Sequence, residues 1–371
     1  MGKIRVLVVD DSVVIRKILS DVLSEDPDIE IAGVAANGRI ALQKIPQVNP
    51  DLITLDIEMP ELNGLETLEA LRKDYPDLPV IMFSTLTERG AEATLDALSL
   101  GASDYVTKPS NIGKVSESFD RLRSKLVPKI KALVPRFGVP LVKSERVNID
   151  ASAKRAPFPP RPSEAHRVDI VTIGISTGGP NALADLLPVF RDDFPVPILI
   201  VQHMPPVFTK NLASRLDKKS ALTVMEGFDG AVLAPGTVWI APGGLHMEAR
   251  KSGTDVVLAT NENSRENSCR PSADVLFRSV VEVYGLNTLA VIMTGMGQDG
   301  YLGCECVRES GGTVLAQDEV SSVVWGMPGI VASSGLADEV LSLEDLPSAI
   351  MRHVIKRRAK PLTVSAKESS S

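Results

Sequence analysis

Ile4-Arg5-Val6-Leu7-Val8-Val9-Asp10-Asp11-Ser12 is the stretch whose reading decides the fold. A short apolar, β-branched run ends abruptly on two acids, which is a buried strand and not the start of a signal peptide. It is followed by Val14–Leu23, in which Val14, Ile18 and Val22 recur at helical spacing. Four further runs repeat the pattern: Ile29–Ala35, Leu52–Leu55, Val80–Phe83 and Tyr105–Thr107. Strands alternating with amphipathic helices predict a parallel five-stranded, doubly wound α/β domain over residues 1–124.

The same alternation resumes at Val168 and lasts to Arg352. Strands are expected at Ile170–Ile175, Ile198–Gln202, Val238–Ala241, Val256–Ala259, Leu289–Met293 and Thr313–Ala316, with helices over Asn181–Phe190 and Ser272–Tyr284. This predicts a second α/β domain with a mostly parallel sheet at 168–352. Between the two, residues 125–167 are rich in proline and in lysine and arginine, the signature of a basic linker. Such a segment is a solvated tether or a docking strip for an acidic partner. Residues 353–371 turn basic and then serine-rich, and are expected to be disordered.

Composition excludes several classes. At 371 residues the chain is too long for one core, and 44% hydrophobic with 23% charged residues is a soluble globular balance. A net charge of −7 argues against broad phosphate-backbone binding, and 4% aromatics is too little for a base-stacking surface. No nucleic-acid partner is expected, and no apolar run is long enough to insert into a membrane. Cys269, Cys304 and Cys306 are odd in number and lack zinc-finger spacing, so reduced thiols in a cytoplasmic protein are expected.

Chemistry collects where such sheets bind ligands, beyond the carboxyl ends of the strands. Asp10-Asp11 end the first strand, Asp56 the third, Ser84-Thr85 the fourth, and Lys108 follows the fifth. Three carboxylates on one rim repel one another, which a hard cation relieves; oxygen donors without histidine or cysteine select Mg²⁺. A carboxylate facing Mg²⁺ and an ammonium is suited to accept a phosphoryl group. The segments VLVVDDS, LDIEMPELNGLE, MFSTLT and YVTKP resemble a bacterial response-regulator receiver domain, a flavodoxin-like fold. The resemblance implies that Asp56 is the phosphoacceptor and that Asp10, Asp11, Asp56 and the Glu58 carbonyl hold Mg²⁺. It further implies Ser84 and Tyr105 as switch residues, Lys108 as the phosphate-binding cation, and a cis Lys108-Pro109 bond.

In the second domain, Gly174-Ile175-Ser176-Thr177-Gly178 matches the G-x-S-x-G nucleophile elbow at a strand-to-helix turn. Alone, the turn serves a nucleophile or a phosphate equally well. His203 ends the next strand and is the candidate general base; Asp299, in Thr294-Gly295-Met296-Gly297-Gln298-Asp299-Gly300, is the candidate orienting acid or a helix cap. His246 follows another glycine turn and is expected to help line the site, whereas His166 and His353 are expected to be exposed bystanders. IGISTGGP, QHMPPVFT, APGGLHM, CRPSADVLF and TGMGQDG, in that order behind a receiver, resemble the chemotaxis response regulator protein-glutamate methylesterase family. The resemblance implies a Rossmann-like esterase domain using Ser176, His203 and Asp299, with Thr177 and the Met296 N–H at the oxyanion hole or pocket and no cofactor in that domain. It also implies methyl-accepting chemotaxis receptors as substrate, glutamine deamidation as a second reaction, and a chemotaxis histidine kinase as phosphodonor. Gln298 and Cys269 depart from the family's frequent Asn and His, which bears on substrate fit. A non-hydrolytic, phosphorylation-dependent binding protein is the competing class; a receiver-coupled DNA regulator lacks both a helix-turn-helix candidate and a basic footprint.

Overall fold

A computed structural model describes residues 2–108, 115–134 and 167–355. Pro109, His166 and most of the stretches read as linker and tail lie outside the described residues. The first domain runs β1 (Ile4–Val9), α1 (Val13–Ser24), β2 (Ile29–Ala35), α2 (Gly38–Val48), β3 (Leu52–Asp56), α3 (Gly64–Asp74), β4 (Val80–Ser84), α4 (Glu88–Ser99), β5 (Asp104–Thr107) and α5 (Val115–Leu133). Its strands pair in parallel in the order β2-β1-β3-β4-β5. β1 and β3 are therefore neighbours, and their carboxyl ends carry Asp10 and Asp56 to one rim.

The second domain contains β6 (Ile170–Ile175), α6 (Gly179–Leu186), β7 (Ile198–Gln202), α7 (Phe208–Asp217), β8 (Thr223–Glu226), β9 (Thr237–Ile240), β10 (His246–Ser252) and β11 (Asp255–Asn261). It continues with α8 (Ala273–Tyr284), β12 (Thr288–Ile292), α9 (Tyr301–Glu309), β13 (Thr313–Gln317), α10 (Met327–Ser333), β14 (Glu339–Leu341) and α11 (Leu346–Ile355). Seven strands form a parallel sheet in the order β14-β13-β12-β6-β7-β9-β8. β6, which precedes Ser176, lies between β12 and β7, the strands that precede Asp299 and His203. A fully buried parallel sheet explains why β6, β7 and β12 are apolar without alternation.

Four expectations need correction. The buried residues of α1 are Leu19, Val22 and Leu23, while Val14 is exposed, so the inward stripe keeps Val22 but is rotated from the predicted one. The helix α5 does not stop at residue 124 but runs through Pro128 to Leu133, burying Leu126 and Ile130, so the first part of the supposed linker is helical. Val256–Ala259 is a strand, but it pairs antiparallel with β10 in a separate hairpin. His353 is no bystander: it sits in α11, with Nε2 2.8 Å from Glu339.

The two domains pack directly on one another. β5 and α4 face α6 and α7, and Tyr105 stacks on the buried Phe208 with ring centroids 4.9 Å apart. Around that stack Arg215 pairs with Asp96 at 2.6 Å, and Asn181 donates to the Leu98 carbonyl. One apolar cluster includes Leu98 and Tyr105 from the first sheet's layer and Phe208 and Leu212 from the second's.

Candidate active site and receiver rim

In the receiver rim, Asp10 and Asp56 are buried and Asp11 is exposed, and their carboxylate oxygens lie within 4.8 Å of one another. The Lys108 ammonium reaches both buried acids, 3.0 Å from Asp10 Oδ2 and 2.7 Å from Asp56 Oδ2. Burial pushes the Asp56 carboxyl up to about 6; the Lys108 hydrogen bond and the Glu58 N–H oppose the shift, and Asp10 reinforces it. One ammonium therefore does not balance this site. The all-oxygen donor set fits a hard divalent cation, and the residues placed to hold one are Asp10, Asp11 and Asp56. The Ser84 hydroxyl is buried and donates to the Gly90 carbonyl at 3.0 Å, and Tyr105 is turned into the domain interface.

In the second domain, β6 ends at Ile175, and Gly178 adopts φ +81° before α6 begins, so the chain turns sharply at Ser176. The adjacent loop comes so close that a Cβ on Gly295 would lie 2.8 Å from the Ser176 Cβ, which is why glycine stands there. Gln202 donates to the Ser176 carbonyl, and the His203 N–H donates to the Ile175 carbonyl, so the serine turn and the histidine are tied through the backbone. His203 Nε2 lies 2.7 Å from Asp299 Oδ2, leaving Nδ1 for a substrate-side proton. Among the described residues no Ser176–His203 hydrogen bond is present; such contacts often tighten only when substrate is bound.

Asp299 is the most heavily supported side chain of the site. It accepts from Ser272 Oγ at 2.6 Å, from the Ala273 N–H at 2.6 Å, from Asn267 Nδ2 at 3.0 Å and from the Asp274 N–H at 3.3 Å. It thereby caps the N-terminus of α8 and stands in hydrogen-bond contact with His203. Although burial opposes it, these donors and His203 hold its carboxyl below the usual range. His203 is raised in turn, against burial, by Asp299 and by the neighbouring Cys269.

Other predicted residues fall differently. Met296, Gln298 and Cys269 line a cavity of about 250 Å³ together with Asn267, Gly297 and Asp299. The Thr177 side chain points away from the pocket, donating to Asp104 Oδ2 of the receiver at 2.8 Å. His246 is buried, with Nε2 3.1 Å from the Ser264 carbonyl, and does not line this cavity. Sequence reasoning missed Ser272 and Asn267 as supports of Asp299. Ser272 was visible as a serine before a helix, but its hydroxyl serves Asp299 and makes no local cap.

A receiver-type sheet packed on a parallel-sheet domain with a His–Asp pair beside an elbow serine defines a class: a response regulator coupled to an esterase-type effector. The CheB methylesterase family model matches residues 171–350, and the response regulator receiver domain model matches residues 6–120. A protein-glutamate methylesterase/protein-glutamine glutaminase of Trichodesmium erythraeum is 51% identical over 354 residues, covering 95% of this chain and 100% of its own length. One of the same name from Nocardioides is 51% identical over 360 residues, with 96% and 97% covered. Of solved structures, the Thermotoga maritima CheB methylesterase catalytic domain is 43% identical, covers 50% of this chain and 99% of its own, and has a TM-score of 0.49. The chain belongs to the protein-glutamate methylesterase/protein-glutamine glutaminase family.

Proposed function

We propose that this chain is a phosphorylation-activated serine esterase acting on glutamate methyl esters of methyl-accepting chemotaxis receptors, with glutamine deamidation as its second reaction. The observation that carries the reading is the 2.7 Å His203–Asp299 contact at strand ends flanking the strand that presents Ser176. Ser176 Oγ attacks the ester carbonyl as His203 takes its proton; the tetrahedral oxyanion collapses, and the departing methoxide leaves as methanol with the proton from His203. Water, deprotonated by His203, then hydrolyses the acyl-serine and leaves a glutamate. For a glutamine the same steps release ammonia. Asp299 holds the imidazole and stabilises its protonated form. The Met296 N–H is assigned to the oxyanion, a role to which the Thr177 backbone can contribute although its side chain is engaged elsewhere.

Control is assigned to the first domain, which continues through α5 to Leu133 and packs on the catalytic domain. A chemotaxis histidine kinase is the phosphodonor and Asp56 the acceptor. Mg²⁺, held by Asp10, Asp11 and Asp56 with the Glu58 carbonyl, would neutralise the transferring oxygens. Lys108 then pairs with the phosphoryl group, Ser84 leaves the Gly90 carbonyl for it, and Tyr105 follows, abandoning Phe208. Support comes from two contacts: Asp104 of β5 binds Thr177, the neighbour of the nucleophile, and one apolar cluster joins Val324 and Met296 of the second domain to the first domain's core. The protein would work in the cytoplasm; no described helix is long and apolar enough to cross a membrane.

The test is methanol release from a methylated receptor cytoplasmic domain, with and without a small-molecule phosphodonor and Mg²⁺. Wild type should release methanol and release more with the donor, while Ser176→Ala falls by about a thousandfold or more with its fold intact. Absence of release from phosphorylated wild type would favour the binding-protein class.

A further inference from the structure

The cavity beside the His–Asp pair carries a third group that the esterase chemistry does not use. Cys269 Sγ, a ring nitrogen of His203 and a carboxylate oxygen of Asp299 all lie within 4.8 Å of one another. Cys269 is partly exposed and lines the cavity, forms no disulfide, and lies close enough to bias the proton affinity of the His203 ring. The set therefore opens to solvent on the side where substrate would enter.

We propose that these three residues form an inhibitory site for a soft divalent cation of the Zn²⁺ type. Sulfur, imidazole nitrogen and one carboxylate oxygen are the donors Zn²⁺ prefers, with bonds of about 2.0–2.3 Å, and three protein ligands leave a fourth position for water. The donor set is of the opposite kind to the all-oxygen receiver rim, which suits Mg²⁺, so the two sites sort hard from soft cations. The metal takes the Nε2 lone pair in place of the proton shared with Asp299, that proton moves to Nδ1 so that the ring stays a neutral imidazole, and the Cys269 thiol proton is released to solvent; no oxidant or reductant is involved. The Ser272, Asn267 and backbone donors that keep Asp299 ionised also keep it a competent ligand. With the ring proton now on Nδ1, the nitrogen left for the substrate side, a metal-bound His203 cannot take the Ser176 proton, so occupation silences the esterase without touching the serine.

The experiment uses the full chain with the receiver rim saturated by Mg²⁺. Co²⁺ is titrated as a spectroscopic stand-in for Zn²⁺, read by the thiolate-to-cobalt absorption band that only a sulfur ligand produces. Wild type and Cys306→Ser should show the band; Cys269→Ser and His203→Gln should lose it. In parallel, Zn²⁺ should inhibit methanol release by wild type, reversibly by chelator, with the half-inhibitory concentration at least tenfold higher in Cys269→Ser, about 1.4 kcal/mol of binding. No band in wild type, a band that survives in Cys269→Ser, or equal Zn²⁺ sensitivity of the two would overturn the proposal. Because the band needs no turnover, its appearance in a protein that releases no methanol would uphold the metal site and count against the esterase reading alone.

Discussion

Asp56 and Asp299 are the same side chain at the same burial, each 2% exposed at the end of a parallel strand or the loop beyond it, and they are pushed in opposite directions. Asp56 rises to about 6 because burial removes water and a second carboxylate stands beside it, while the one ammonium that opposes the shift is shared between the two acids. Asp299 is held low because a histidine, a hydroxyl, an amide side chain and the first N–H groups of α8 all point at it. Burial therefore does not set the charge of a buried acid; the number and sign of the groups facing it do. The under-satisfied acid is suited to change its charge by accepting a phosphoryl group. The satisfied one is suited to stay fixed while its partner's proton moves.

The comparison breaks most visibly at Asp299. Asp299→Asn keeps the shape but can present an N–H to His203 Nε2, enforcing the wrong tautomer. Catalysed methanol release should fall by about three to four orders of magnitude, with unchanged circular dichroism; a drop of less than tenfold would mean that Asp299 is chiefly a helix cap. Asp56→Asn probes the other acid through stability. A folded-state value of about 6 against an ordinary 3.8 means the native state binds the proton more tightly, so wild-type stability falls as pH rises from about 4 to 6. Relative to the wild type, Asp56→Asn should gain on the order of 2–3 kcal/mol across that window in denaturant unfolding, and parallel curves would show that Lys108 already balances the site.

Ser272→Ala removes one of the donors to Asp299 without touching His203. A net loss of about 1–2 kcal/mol should lower kcat/KM roughly five- to thirtyfold, and the Asp299-linked acid limb should move to higher pH, because the carboxyl loses a donor to its charged form. An unshifted limb would assign Ser272 to packing only. The smallest effect is expected at the interface rim. Arg215→Ala cuts a half-exposed pair with Asp96 worth at most about 1 kcal/mol, so methanol release without phosphodonor should rise no more than about fivefold. A larger rise would make the pair, and not the Tyr105–Phe208 stack, the main hold on the closed arrangement.

Much of this was legible along the chain because strand ends are where a parallel sheet puts its chemistry, and each strand announces itself as an apolar run. Ile4–Val9 ending on Asp10, and Ile170–Ile175 ending on Ser176, were found at their observed bounds from local pattern alone. Short edge strands such as Glu339–Leu341 were not, since they are half exposed and carry no apolar run. The α1 stripe was misplaced at its start because Val14, although apolar, is exposed in the first turn, while Leu19 and Leu23 join Val22 in the core.

Short-range patterns along the chain specified the pair of α/β domains and the residue types at the end of each strand. Which strand lies beside which was decided only in three dimensions, and that order sets His203 against Asp299, 96 positions apart. The tertiary structure alone also gave Asp299 its donors from Asn267, Ser272 and Ala273, turned Thr177 toward Asp104, and brought Cys269 to the histidine. These are contacts between segments distant along the chain, and hydrogen-bond partners of that kind leave no periodic trace in the residues that make them.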